Sequence, residues 1–424
     1  MHLIFTILQL RSEIQRRKNS FIIRLLKYSG PALIVSVAYM DPGNYGTDLA
    51  GGARYNYDLL WIVWMASFMA MLFQYLSGKF GIATGKDLAE QIRLSLKGKR
   101  AYTIPYWLAS EVAIAATDLA EYLGTVLALN ILFGVPLLWG SIFGALDVLI
   151  ILAVSSRRFR VVESLFALWV SIIGLGFLYE LLIAGASPGD ILMHSIYPTI
   201  NSQTILVGVG IIGATVMPHA VFVHSWLTKN KLKTGGAEEK KELMKLHLAE
   251  TVILLGVAAL VNVAIMVLAA RVFYPNYSNV QSVTEAYHIL KPLFGQVAAT
   301  IFGITLLASG LSSSITGTIS GQAVMEGMLG SKFNPIIRRL ITRFVNVFPT
   351  TIAILLGIQP LQLLVYSQVL LSLMLPLPML PLVFYTSNRR IMGEFANGHL
   401  MKYLSYISAV TILILNAYLI YTII

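Results

Sequence analysis

Cysteine is absent from all 424 residues of the sequence, which excludes disulfides, thiolate metal ligands and thiol catalysis. Any metal site must use oxygen, nitrogen or thioether donors. Charge is scarce too. Asp, Glu, Lys and Arg make up 12% of the chain, about half of the ~25% usual in soluble domains. With 57% hydrophobic residues and a mean hydropathy of +0.74, the composition points to one membrane-embedded, multi-pass domain rather than several soluble ones. No His-Glu-x-x-His run is present, and His219 and His224 are five apart, a poor spacing for one helical face. An intramembrane metalloenzyme is thereby disfavoured, and the chain reads as a non-enzyme without a cofactor.

A net charge of +11 would suggest nucleic acid in a soluble protein, but its placement excludes that partner and points to anionic lipid. Apolar windows of spanning length fall near 28–53, 58–78, 103–131, 136–154, 161–183, 204–228, 247–270, 295–326, 339–357, 361–385 and 403–424, eleven in all. Of the 31 Lys and Arg, only Arg54, Arg271 and Lys291 fall on one side; the rest, including Arg157, Arg158, Arg160 and the run from Lys229 to Lys245, share the other. That asymmetry places the N-terminus in the cytoplasm and, with an odd number of spans, the C-terminus outside. Residues 1–27 read as a cytoplasmic arm, because their short apolar run is followed by basic residues without a cleavage pattern. The expected organisation is a first five-helix repeat over 28–183, an extracellular connector over 184–203, a second repeat over 204–385, and a cytoplasmic loop with helix 11 over 386–424.

Within the first span, Asp41-Pro42-Gly43-Asn44 cannot continue a helix: proline removes a backbone donor, and the freed carbonyls have no water to turn to. Met217-Pro218 repeats the device in the first span of the second half. With five spans per half the repeat is inverted, and interrupted helices in corresponding places point to a transport site at mid-membrane. Asp41 either caps the broken backbone or, with the Asn44 amide oxygen, presents hard donors to a cation. Met217 is packing or a soft thioether ligand beside the Ala214 carbonyl that Pro218 leaves without a helical partner. A thioether favours Mn2+, Fe2+ or Cd2+ over Mg2+ or Ca2+.

Glu111, Asp118 and Glu121 share one face of the third span. They form either ion pairs with Arg338, Arg339 or Arg343, or a proton route tuned by those arginines. His219 and His224 are further groups of near-neutral titration, unless His224 faces cytoplasmic water. Ser309, Gly310, Ser312, Ser313, Ser314 and Gly317 predict a small-residue packing face in the eighth span. Gln368, beside Ser367, either bonds a neighbouring helix or closes over the site.

Together, Asp41-Pro42-Gly43-Asn44, Met217-Pro218-His219 and Ala116-Thr117-Asp118-Leu119-Ala120-Glu121 resemble the NRAMP family of proton-coupled divalent metal transporters. The likeness continues through 84–90, Arg338-Arg339, 364–368 and 392–397. It implies an all-α LeuT-type fold with helices 1 and 6 broken, acting in the cell membrane as a monomer. It implies metal binding by Asp41, Asn44, Met217 and the Ala214 carbonyl, with Gln368 joining in the occluded state. His219, Glu121 and Asp118, and further along Glu111, Arg338 and Arg339, become proton-path residues; Mn2+ and Fe2+ are the expected cargo, imported with H+. Two departures from the family pattern lie beside the site: Ala220, where Asn usually follows Met-Pro-His, and Met374, where segment ten usually has Gln. Both leave altered metal selectivity open. Met217 is retained, whereas Mg2+-carrying relatives replace it. Cation-coupled symport of an organic solute and a metal-gated channel are the competing readings of the broken helices.

Overall fold

The structure, a computed structural model, describes residues 30–143, 159–185, 187–231, 236–280, 282–331 and 334–424. The expected arm over 1–27, most of the window 136–154, the basic residues Arg157 and Arg158, and the side chains of Arg160, Arg339 and Arg343 lie outside that description.

The chain enters its first span at α1 (Pro31–Ala38). Pro31 occupies the first turn, where a missing N–H costs nothing, and the Glu250 carboxylate accepts from Gly30 N at 2.6 Å and Ala32 N at 3.2 Å. An anion thus sits at the positive end of the helix. The helix stops at Ala38 because the residue that would donate to its carbonyl is Pro42. Asp41 then opens α2 (Pro42–Tyr55) as its N-cap, in extended conformation, accepting from Asn44 N at 2.7 Å.

The second interruption has the same cause and a different geometry. The helix α9 (Ile205–Val216) and its continuation α10 (Pro218–Thr228) meet at Met217, whose φ of 52° and ψ of 102° are strained for a side chain with a Cβ.

Between these pairs run α3 (Leu60–Thr84), the short α4 (Leu88–Ser95), α5 (Arg100–Phe133), α6 (Leu137–Phe143), α7 (Phe159–Ala184) and α8 (Pro188–Ile196). After them come α11 (Ala237–Phe273), α12 (Val283–Leu329, kinked at Gly295 where φ is 88°), α13 (Pro335–Leu355), α14 (Pro360–Met374), α15 (Pro376–Ser387), α16 (Arg389–Met392), a 3-10 turn and α17 (His399–Ile423). The residues from Ala237 onward, within the basic run from Lys229 to Lys245, form the first turns of α11. No strand occurs among the described residues.

Eight stretches among the described residues are long and apolar enough to cross a membrane. The other three expected segments are 28–53, cut into α1 and α2; 136–154, mostly outside the described residues; and 339–357, where α13 carries Arg338, Arg339 and Arg343. Burial ranks the elements. In the Ile205–Thr228 stretch 94% of the most apolar window is buried, against 28% in α17. The interrupted helices are therefore central. On α17, Leu400, Tyr403, Ile407, Ile414 and Tyr421 are exposed, the apolar outer face of a helix whose solvent is lipid.

Close approach of the central helices depends on glycine. A Cβ on Gly124 of α5 would overlap Pro42 at the first break, and one on Gly213 of α9 would overlap the Gln368 backbone of α14. The expected small-residue face of α12 is present: Ser309, Ser312, Ser313 and Ser314 are buried, and Gly310 packs on α5 at Glu121 and Thr125.

Candidate metal site

Both breaks converge. Asn44 donates its Nδ2–H to Asp41 Oδ1 at 2.9 Å and to the Ala214 carbonyl at 3.0 Å. The carbonyl freed by Pro218 is thus directed at α2. Tyr39 OH reaches a second carbonyl of this break, Val216, at 3.5 Å. In return Thr215 Oγ1 donates to Asn44 Oδ1 at 3.0 Å, joined by Asn262 Nδ2 of α11 at 3.3 Å. Each break supplies hydrogen-bond partners to the other.

Asn44 is turned differently from the expectation. Its Nδ2, not its amide oxygen, faces Asp41 and Ala214. Half a turn about the terminal torsion, which is broad and two-fold for Asn, exchanges the two.

Asp41 is 1% exposed, and its second oxygen, Oδ2, has no hydrogen-bond partner. Gln368 is fully buried and lies against Gly43, where a Cβ would overlap its amide. Its Nε2 donates to Ser367 Oγ at 3.0 Å, leaving Oε1 buried and unpartnered. Met217 is fully buried at the joint three residues beyond Ala214. A carboxylate oxygen, an amide oxygen, a carbonyl and a thioether are therefore carried by residues at or packed against the two breaks. The unpartnered atoms of Asp41 and Gln368 are acceptors, which is what a cation requires.

The ionisable stripe of α5 separates into two parts. Asp118 and Glu121 both lie over Gly317 of α12, whose Cβ would come within 3.1 Å of their carboxylate oxygens. Glu111 instead pairs with Arg338 Nη2 at 2.7 Å and accepts from Trp107 Nε1 at 2.9 Å, and that guanidinium packs on Gly321. His219 is 1% exposed and shares a hydrogen bond of 3.0 Å between Nδ1 and Thr117 Oγ1, which ties α10 to α5. His224 does not face water: it is fully buried, with Nδ1 2.9 Å from Gln74 Oε1 and its ring edge-to-face with His247 at 4.8 Å.

Of the two departures, Ala220 is buried in the main core, and Met374 packs with Ala113 and Ala116 of α5 and Leu371 of α14. Thr117, Thr215 and Asn262 bond the site residues directly and were not singled out from sequence. Neither were the buried carboxylates Asp48, Glu180 and Glu250. For Asp48 a signal existed, since it lies one turn after Asn44 on the same face.

The family model for natural resistance-associated macrophage protein-like (Nramp) proteins matches residues 32–422. Proteins named divalent metal cation transporter MntH are similar throughout. The one from Verminephrobacter eiseniae is 40% identical over 416 residues, covering 98% of this chain and 93% of its own. The one from Nostoc sp. is 41% identical over 408 residues, covering 95% and 92%. Among solved structures, the manganese transporter of Eremococcus coleocola, crystallised with an aromatic bis-isothiourea substituted compound, superposes with a TM-score of 0.84 at 31% identity, covering 94% of this chain and 87% of that one. Mhp1, a nucleobase-cation-symport-1 family transporter in a closed conformation, shares the fold alone, with a TM-score of 0.62 at 15% identity over 93% of this chain and 89% of that one. The architecture is thus the LeuT type, interrupted between α1 and α2 and between α9 and α10, and the chain belongs to the Nramp family.

Proposed function

We propose that this chain imports divalent transition-metal ions, Mn2+ and Fe2+ foremost and Cd2+ with them, by alternating access coupled to protons. It works in the cell membrane with its N-terminus in the cytoplasm and its C-terminus outside. The observation that carries this reading is the pair of buried, unpartnered oxygens, Asp41 Oδ2 and Gln368 Oε1, beside two helix breaks that are hydrogen-bonded to each other through Asn44 and Ala214. The family and the names of its similar members give it further support.

In this mechanism an arriving ion takes Asp41 as its charged ligand. The Asn44 amide turns to present Oδ1, and the Ala214 carbonyl exchanges a hydrogen bond for the metal. Met217 adds the thioether that discriminates against Mg2+ and Ca2+. Gln368 closes over the ion from α14, since it already lies against Gly43. The open positions at the breaks replace water that the ion must shed. Protons travel through His219 and along α5 by Asp118 and Glu121 toward Glu111, Arg338 and Arg339. The adjacency of the first two carboxylates over Gly317 and the Glu111–Arg338 pair support that route. His224, buried beside His247, is a further group near the path.

Uptake of Mn2+ and Mg2+ into proteoliposomes under an imposed pH gradient tests the proposal. Mn2+ accumulation that exceeds Mg2+ and rises with an inward proton gradient is expected. Equal rates for the two ions, indifference to the gradient, or block by an unlabelled amino acid would contradict it.

A further inference from the structure

Asp48 takes no part in the mechanism above, yet it is among the most deeply placed charges in the molecule. It is fully buried, and both of its carboxylate oxygens lack a hydrogen-bond partner. An isolated carboxylate in such a place needs a cation or a proton.

Its surroundings follow from the register of α2. Asn44 meets Asn262 of α11 through a hydrogen bond of 3.3 Å. Two turns further on, a Cβ at Gly51 would lie 2.8 Å from the Met266 methyl, and one at Gly52 would overlap the Met266 carbonyl and lie 2.7 Å from Ala269. Residue 48 projects between these contacts, at the angular position bracketed by 51 and 52. It therefore faces α11 along the stretch from Asn262 to Met266. Asn262 is 1% exposed, and its own Oδ1 is also buried without a partner. Asp48 and Asn262 thus offer three orphaned oxygens and no orphaned donor, a hard set of acceptors for a cation, while Met266 on the same stretch packs its methyl toward Gly51.

We infer that Asp48, with the amide oxygen of Asn262, forms a second cation position about one helical turn along α2 from Asn44, on the outer side of the transport site. This rests on the metal-transport reading above. With a rise of 1.5 Å per residue, Asp48 lies roughly 10 Å along α2 from Asp41. Two divalent ions at that separation repel strongly in a low-dielectric interior. The outer position is accordingly a staging point, occupied before the inner one rather than with it, as in pores where adjacent sites hand an ion onward. Asp48 and Asn262 contribute oxygen alone, so the position accepts Ca2+ as readily as Mn2+ or Cd2+, and selection waits for Met217.

The test uses Mn2+ binding to the purified full-length chain, read by loss of the free-ion electron paramagnetic resonance signal. Wild type should bind Mn2+. Asp41→Ala should keep a weaker position that Ca2+ and Cd2+ displace equally well, and adding Asp48→Asn should abolish it. In proteoliposomes, Asp48→Asn alone should raise the KM for Mn2+ about tenfold, the loss of one charged ligand, with the maximal rate held within about twofold. Equal Mn2+ binding by Asp41→Ala and by the double variant, or an unchanged KM in Asp48→Asn, overturns the inference while leaving the transport site standing. If the double variant does not fold, the KM of Asp48→Asn still decides, because that variant keeps every residue of the transport site and an unchanged KM would refute the outer position. A wild-type chain that binds no Mn2+ overturns the transport-site reading and this inference together.

Discussion

The two helix breaks have the same cause, a proline, and opposite local solutions. At the first, three residues separate α1 from α2, and polar groups satisfy the freed backbone: Asp41 caps Asn44, and Ser309 Oγ donates to the Met40 carbonyl at 2.5 Å. At the second a single residue, Met217, makes the joint at a φ of 52°, with no side-chain cap of its own, and its carbonyls are served by donors from the first break. One break is soft in conformation and hard in chemistry. The other is strained in conformation and carries the soft donor. Between them they hold two kinds of donor atom, oxygen and thioether, that one continuous helix could not present at one level of the membrane.

Removing the charged half of that pair has the largest expected effect. Asp41→Ala deletes both the cap and the carboxylate of the first break, and Mn2+ uptake in proteoliposomes should fall to background. Pro218→Ala acts on the other break: the restored N–H competes with Asn44 for the Ala214 carbonyl. An exchange worth about 1 kcal/mol lowers uptake about fivefold. Full activity in Pro218→Ala would show that the second break does not depend on its proline. Ser309→Ala leaves the Met40 carbonyl buried without its partner and should cost about 1–3 kcal/mol of stability. A lowered thermal midpoint in detergent, with uptake kept within about twofold, is the expected outcome. An unchanged midpoint would remove the claim that the first break is held by side chains.

The breaks were legible in the sequence because proline acts locally: Pro42 ends α1 at Ala38, and Pro218 frees Ala214, whatever surrounds them. The stripe on α5 was legible by periodicity, and the structure adds that its members have different partners, Asp118 and Glu121 on Gly317 and Glu111 on Arg338. What periodicity cannot give is the angle between helices. Asn262 and Thr215 are ordinary polar residues until α11 and α9 bring them to Asn44. Glu250 in sequence is one acidic residue near the start of an apolar run, and its function as the acceptor for Gly30 and Ala32 exists only across 218 or more residues of chain. His224 was ambiguous for a related reason. Its place near a helix end suggested water, but α3 and α11 close over it.

In the mechanism proposed above, the strained joint at Met217 supplies the soft ligand of a mixed site whose hard ligands come from the first break. Competition for Mn2+ uptake in proteoliposomes by Ca2+ and by Cd2+, compared between wild type and Met217→Ala, tests it most directly. Ca2+, a poor competitor of wild type, should compete about tenfold better in the variant, a change of ~1.4 kcal/mol, while Cd2+ should compete less well. An unaltered order and spacing of the two competitors in Met217→Ala would contradict it.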